Sequence, residues 1–428
     1  MYLTIFDDVV HILHNDYSGC VDKKGWDNPS FYRNQIKKLN AAENSDEMFV
    51  QIVQDYLLDF NDLHMSFKYI GEMKNTLYEV GFKVRRYNDL LYVVSTGKEK
   101  RVKPGDVITA LDGIAISDLV EIHKRRLMEQ EAERENWNDI LSLYNRASIT
   151  DEAGKAFDIE VDKYEIEPVQ AEYSIEVMTE DTLFLKLTDF MNHDAIIKLI
   201  SDNELLLVNH KNLIIDVRVN KGGSDLAYLE LLPYLFDGEV IDLKSFDDGV
   251  MLTNCTIRNV ELRTKFLKNA FSTLEDVSTR NQINMMINTL EEYKGKGFVE
   301  LDFSDMEESL LLKTKSGPES IILLTDVYCG SSGDSFVEIC KNSRKVTVIG
   351  WPTLGLNDYS NLAVMGWDNK FELWYPTTKL SKVDEGKGMS GVGIQPDIYI
   401  PWSPDHIKQD IDLQKALEHL QYLREYSC

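Results

Sequence analysis

The residues best suited to chemistry lie in Val327-Tyr328-Cys329-Gly330-Ser331-Ser332-Gly333-Asp334-Ser335-Phe336. An apolar run, Ile321 to Thr325, precedes them, and the helix-like Phe336 to Cys340 follows. A buried strand that breaks at small residues and enters a helix is where an α/β enzyme exposes a nucleophile. The turn lifts a side chain clear of the sheet, and the helix start offers unpaired N–H groups to a developing anion. Ser331 and Ser332 are the candidates. Cys329 lies beside them, but without a helper such a cysteine is more often a small buried hydrophobe. A second segment, Asp216-Val217-Arg218-Val219-Asn220-Lys221-Gly222-Gly223, is a strand running into paired glycines. Such glycines let backbones approach closely and turn N–H groups outward, as an oxyanion site requires, or else form only a tight turn holding an Asp216–Arg218 salt bridge. His64, in Phe60-Asn61-Asp62-Leu63-His64, ends an amphipathic helix, where it serves either structure or proton transfer.

The elements that must position these residues fall in three stretches. Residues 1–75 read as helical, with Ile5, Val9, Ile12 and Leu13, then Phe49, Ile52, Val53 and Tyr56, at helical spacing. Ser30, in the Asp27-Asn28-Pro29-Ser30 turn, is the expected cap of a helix running to Leu39. Residues 76–170 change to strand periodicity, with Gly-Asp and Asp-Gly turns and a polar helix from Ser117 to about Ala132. Pro104-Gly105-Asp106-Val107-Ile108 and Leu111-Asp112-Gly113 give this block a resemblance to a PDZ module, which captures extended peptide ends at a sheet edge. From 171 to 428, strands alternate with helices (one expected over Asp194 to Leu207), the pattern of an α/β core, with a helical insertion near 260–296.

Composition narrows the partners. A net charge of −26 over 428 residues argues against nucleic acid or an anionic membrane surface. Five dispersed cysteines, Cys20, Cys255, Cys329, Cys340 and Cys428, have no metal-type spacing and fit reduced thiols. No metal-ligand motif or nucleotide loop is present in the sequence, so no metal or cofactor is expected. The first residues carry neither a signal nor a membrane-span pattern; the expectation is a cytoplasmic protein as numbered, or an extracytoplasmic one if a leader was removed.

Taken in order, these segments, with Val348 to Gly355 and Gly393-Ile394-Gln395-Pro396-Asp397, resemble the tail-specific, or C-terminal-processing, serine peptidases. That family includes tricorn-like peptidases and a non-peptidase retinoid-binding branch. The resemblance implies a mixed-sheet α/β core of the ClpP/crotonase-like type and cleavage of extended peptides or protein tails, with a homo-oligomer as one option. It assigns Ser331 as nucleophile, and the N–H groups of Ser332 and of Gly222 or Gly223 as the oxyanion hole. One branch activates the serine with a lysine just past Gly355; here that place holds Leu356. The tricorn-like branch uses a histidine before the PDZ block, and His64 matches it. That branch orients its histidine with a glutamate where this chain has Ser390, and Glu385 or Asp384 stands upstream as a substitute. Ser390 would not stabilise an imidazolium as a carboxylate does. A binding protein with weak or lost hydrolysis is therefore the alternative.

Overall fold

The computed structural model describes residues 1–428 except 40–44, 72–77, 130, 167–169, 247–248, 272–276, 303–310 and 427–428. Cys428 and the end expected for the β-rich block near Val169 lie outside the described residues.

Helices Tyr2–Asn15, Pro29–Ile36 and Ser45–Leu57 open the chain. The second is capped by Asn28, whose side chain accepts the Phe31 N–H, with Pro29 in the first turn; Ser30 is already inside it. Proline is preorganised for that position and has no N–H to leave unsatisfied, which moves the cap two residues upstream of the expected one. The apolar faces of these helices, with Phe6, Phe49, Tyr56 and Phe60, pack on a five-stranded antiparallel sheet. Its strands come from far apart: Ser66–Tyr69, Met251–Cys255, Gly297–Glu300, Tyr359–Trp367 and Phe371–Leu380. Helices Ile257–Phe271 and Val277–Glu292 lie between two of those strands.

A six-stranded antiparallel sheet (Phe82–Tyr87, Leu90–Thr96, Val107–Leu111, Ile114–Ala115, Arg146–Thr150 and Ala156–Glu160) encloses its own core with helix Ile116–Leu127. Asp112 and Gly113 both take positive φ, 46° and 79°, and make the two-residue hairpin between Leu111 and Ile114.

The third sheet is mixed. Tyr173–Thr179 is antiparallel to Thr182–Leu187, after which Asn212–Asp216, Ser320–Thr325, Val346–Gly350 and Ile398–Tyr399 are parallel in that order. The parallel strands Asn212–Asp216 and Ser320–Thr325 are buried almost throughout, which is why they read as continuous apolar runs. Phe336 and Val337 of helix Ser332–Cys340 and Ile196 and Ile200 of helix His193–Asp202 join one core face, and Ala416 and Leu420 of helix Ile411–Tyr426 the other. The expected helix over Asp194 to Leu207 is two, His193–Asp202 and Glu204–Asn209, broken at Asn203. Loops leaving the carboxyl ends of the parallel strands carry both the glycine pair and the serines, where open α/β sheets place their sites.

Candidate active site

Ser331 follows strand Ser320–Thr325 after a five-residue loop and starts helix Ser332–Cys340 with φ 59° and ψ −123°. A non-glycine residue in that region is strained by roughly 1–3 kcal/mol and persists only where its surroundings enforce it. The enforcing group is Asp334. Its buried carboxylate accepts the N–H of Ser331 at 2.8 Å, of Gly355 at 2.9 Å and of Leu356 at 2.9 Å. Burial holds this carboxyl above its usual range against the pull of the Thr353 hydroxyl and the three N–H donors. Asp334 thus clamps the serine turn to the 353–356 loop. Cys329 is fully buried, and desolvation, then the neighbouring Asp334, Asp326 and Asp216, push its thiol well above the normal value. An un-ionised buried thiol is a packing residue.

The glycine pair lies against the serine. Gly222 has φ 82°, and a Cβ there would stand 2.6 Å from the Ser331 Cβ and 2.7 Å from the Gly330 carbonyl. Its N–H, however, is taken by the Asn220 side chain at 2.9 Å. Among the described residues the Gly223 N–H has no acceptor, and the Ser332 N–H, in the first helical turn, has none either. The Ser332 hydroxyl donates to the Gly223 carbonyl at 3.0 Å, tying the two donors into one unit. Asn220, fully buried, was missed as a site residue. It donates to the Leu187 carbonyl at 3.0 Å and accepts the Gly330 N–H on its own carbonyl at 3.0 Å, so it joins three loops. The available signal was an amide two residues before a glycine pair. The Asp216–Arg218 pair is also present, at 2.8 Å, and Arg218 extends to Asp410 at 2.7 Å.

His64 follows a short 3-10 turn, Leu58–Phe60, and Asn61 at φ 44°. Asp62 accepts the His64 backbone N–H at 2.9 Å and the Tyr17 hydroxyl at 2.6 Å, so it fixes the chain rather than the ring. Lys23, buried, lies 3.9 Å from Asp62 and 4.2 Å over the Tyr359 ring. Burial lowers its pKa while Asp62, Asp358 and Asp22 hold it up. The half-buried imidazole places Nδ1 2.6 Å from the Tyr359 carbonyl oxygen. A carbonyl only accepts, so Nδ1 carries the hydrogen and the neutral ring's Nε2 is the basic nitrogen.

Segment 355–359 links the two ends of the chain. Gly355 and Leu356 sit on Asp334, Asn357 Nδ2 donates to the Ser331 carbonyl at 2.7 Å and to Ser335 Oγ at 2.9 Å, and Tyr359 holds His64. Leu356, at the place of the other branch's lysine, offers its backbone N–H and an apolar side chain. Among the described residues no hydrogen bond joins the His64 ring to Ser390 or Glu385. Ser390 is exposed and gives its N–H to the buried Asp358 at 2.8 Å; Glu385 is exposed and paired with Lys387 at 2.8 Å. The ring takes a backbone carbonyl instead because the Tyr359 strand runs directly past it.

Among the described residues no group of three or more potential ligands is arranged to hold a metal ion, and no helix is long and apolar enough to cross a membrane.

The fold is a mixed α/β one, with a strained serine turn in a loop at the carboxyl ends of its parallel strands. The model of peptidase family S41 matches residues 181–400, more than half the chain, and the chain belongs to that family of serine peptidases. Among solved structures it is similar to mature CPAF (14% identity, TM-score 0.65, covering 95% of this chain and 94% of that one). It is likewise similar to mature CPAF complexed with lactacystin (14% identity, TM-score 0.67, covering 99% and 97%). No curated protein sequence matches the chain.

Proposed function

We propose that the chain cleaves extended peptides or protein tails through an acyl-enzyme, with Ser331 as nucleophile and His64 as general base in the manner of the tricorn-like branch. The observation that carries this reading is Ser331 itself, strained at a helix start with the Gly222–Gly223 turn packed against it. His64 Nε2 takes the Ser331 hydroxyl proton as Oγ attacks the scissile carbonyl. The oxyanion forms between the N–H groups of Gly223 and Ser332, which act on charge that exists only at the transition state. Collapse breaks the C–N bond, the imidazolium returns its proton to the leaving amine, and water then releases the acyl group by the same route.

The β-rich block is read here as a PDZ-like module that recruits or gates substrate. Two arginines support a link to the site. Arg85, on strand Phe82–Tyr87, makes a buried two-pronged pair with Asp326 at 2.8 and 3.1 Å, five residues before the nucleophile. Arg134 donates to the carbonyls of Thr353 and Leu354 at 2.9 and 3.0 Å.

A second reading, a binding protein with weak turnover, is favoured by one observation: the imidazole partner is a carbonyl, which stabilises an imidazolium less than a carboxylate does. Fluorophosphonate labelling decides between them. Labelling of wild type that is lost in both Ser331→Ala and His64→Ala supports the peptidase. Peptide binding that is equal in wild type and Ser331→Ala, with no labelling of folded wild type, supports the binder.

A further inference from the structure

Lys23 is buried in the turn that follows the first helix, its own N–H bonded to the Gly19 carbonyl at 3.0 Å. A buried ammonium is costly unless it is paired, and among the described residues Asp62 is the one carboxylate that pairs with it, at 3.9 Å. The ammonium also donates to the Asn61 carbonyl at 3.4 Å and stands 4.2 Å over the Tyr359 ring. The rings of Tyr17 and Trp26 lie at 5.6 and 6.0 Å. Asp358 and Asp22 favour its charge from further away; the Asp358 carboxylate is occupied by the N–H groups of Met389 and Ser390.

The three nearest of these contacts are with groups that hold His64. Asn61, left-handed, begins its turn, and Asp62 accepts its backbone N–H at 2.9 Å. Tyr359 supplies the carbonyl that meets Nδ1 at 2.6 Å. The residue beside Lys23 acts on the same tyrosine, since Asp22, paired with Lys379 at 3.0 Å, accepts the Tyr359 hydroxyl at 3.2 Å. Tyr359 is thus fixed at its hydroxyl and at its ring face. The two supports of His64 lie 295 residues apart in the chain, and the Lys23 ammonium touches both.

Resting on the peptidase reading above, we propose that Lys23 is a positioning residue for the proton transfer: its buried ammonium ties the 61–62 turn and Tyr359 to one point and so fixes the His64 ring. Without that charge, Asp62 is left as a buried carboxylate with no cation, and the turn that carries His64 moves to reach water. The Tyr359 carbonyl then no longer meets Nδ1, and Nε2 loses its fixed place.

The test pairs a spectroscopic readout with a reactivity readout on folded protein, folding being checked by denaturant titration. Nitrogen NMR of histidine-labelled protein, assigned by the signals missing in His64→Ala, gives the tautomer of neutral His64. Fluorophosphonate labelling gives the reactivity of Ser331. Wild type is expected to hold the Nδ1–H tautomer alone. Lys23→Met, which keeps the length and removes the charge, is expected to mix in the Nε2–H form and to label at least about tenfold more slowly. Adding Asp62→Asn leaves no unpaired buried charge, and Asn still accepts the His64 N–H, so the double variant should label at a rate between Lys23→Met and wild type. An unchanged tautomer or an unslowed labelling rate in folded Lys23→Met overturns the proposal. So does a double variant no faster than Lys23→Met, because Lys23 then does not act through Asp62. Where Lys23→Met does not fold, the double variant decides, and a wild-type tautomer with wild-type labelling there overturns the proposal. Wild type that holds the tautomer but never labels overturns the peptidase reading and the catalytic purpose of Lys23 with it, while the tautomer of Lys23→Met still reads whether Lys23 fixes the ring.

Discussion

Replacing Gly222 by alanine introduces one methyl group beside the nucleophile, and its consequence follows from the local distances. The new Cβ would meet the Ser331 Cβ at 2.6 Å, the Gly330 carbonyl at 2.7 Å and the Ser332 nitrogen at 2.9 Å. Reaching an ordinary separation of about 3.4 Å from the Ser331 Cβ demands a shift of about 0.8 Å, and the atoms in the way are mostly backbone. Alanine at φ 82° adds left-handed strain of about 1–2 kcal/mol, and overpacking a tight site adds about 1–3 kcal/mol. The expected loss of stability, after the smaller conformational freedom of the unfolded alanine chain is allowed for, is roughly 2–4 kcal/mol. The effect on chemistry is larger. A displacement near 1 Å between reacting groups costs on the order of 10²-fold in rate. The control is Gly113→Ala in the distant hairpin, where φ is 79° but nothing lies within 4 Å of the added carbon. That variant carries the backbone strain alone. Denaturant titration gives the stability of each protein, and the rate of fluorophosphonate labelling under native conditions gives the reactivity of Ser331. Gly222→Ala is expected to label at least about a hundredfold more slowly and Gly113→Ala at the wild-type rate. Wild-type labelling by folded Gly222→Ala would refute the claim that this glycine sets the position of the serine.

Three further outcomes are expected. Asn220→Ala removes the acceptor of the Gly222 N–H and the donor to the Leu187 carbonyl, costing roughly 2–4 kcal/mol in denaturant unfolding and slowing labelling; unchanged values for both would show that the amide is dispensable. Nitrogen NMR of neutral His64 is expected to show Nδ1 protonated and Nε2 bare, as the Tyr359 carbonyl requires, and the opposite tautomer would contradict the proton path. The Arg101 hydrogen bonds to Glu99 depress its carboxyl from 4.5 to about 2, so its contribution to stability is present above pH 4.5 and is lost as pH falls toward about 2. The stability gap between wild type and Glu99→Gln should therefore narrow across that window, and a gap that stays constant would refute the assignment.

Much of this architecture is legible in local sequence. The buried runs Leu213 to Ile215 and Ile321 to Leu324 announce a covered parallel sheet because both faces of those strands are packed. The Asp112-Gly113 hairpin and the Ser331 turn are equally local, since a backbone that must take positive φ demands particular residues at that place. The long hairpin Tyr359–Trp367 and Phe371–Leu380 went unread, although Asp368 and Asn369, at φ 52° and 51°, were its signal. That hairpin decides the site, because it carries the carbonyl that orients His64.

Other features have no local signature. The choice of Gly223 over Gly222 as the free donor depends on where the Asn220 side chain points, and that depends on the Leu187 carbonyl from another strand. The imidazole partner is 295 residues away in the chain, and it is a backbone atom, which any residue supplies. Sequence by itself determined which residue types could react and which turns could expose them, because those follow from the conformational preferences of neighbouring residues. Only the tertiary structure decided which hydrogen-bonding groups are consumed and which are left for a substrate, because that is settled by packing between strands and loops whose order in the chain says nothing of their distance in space.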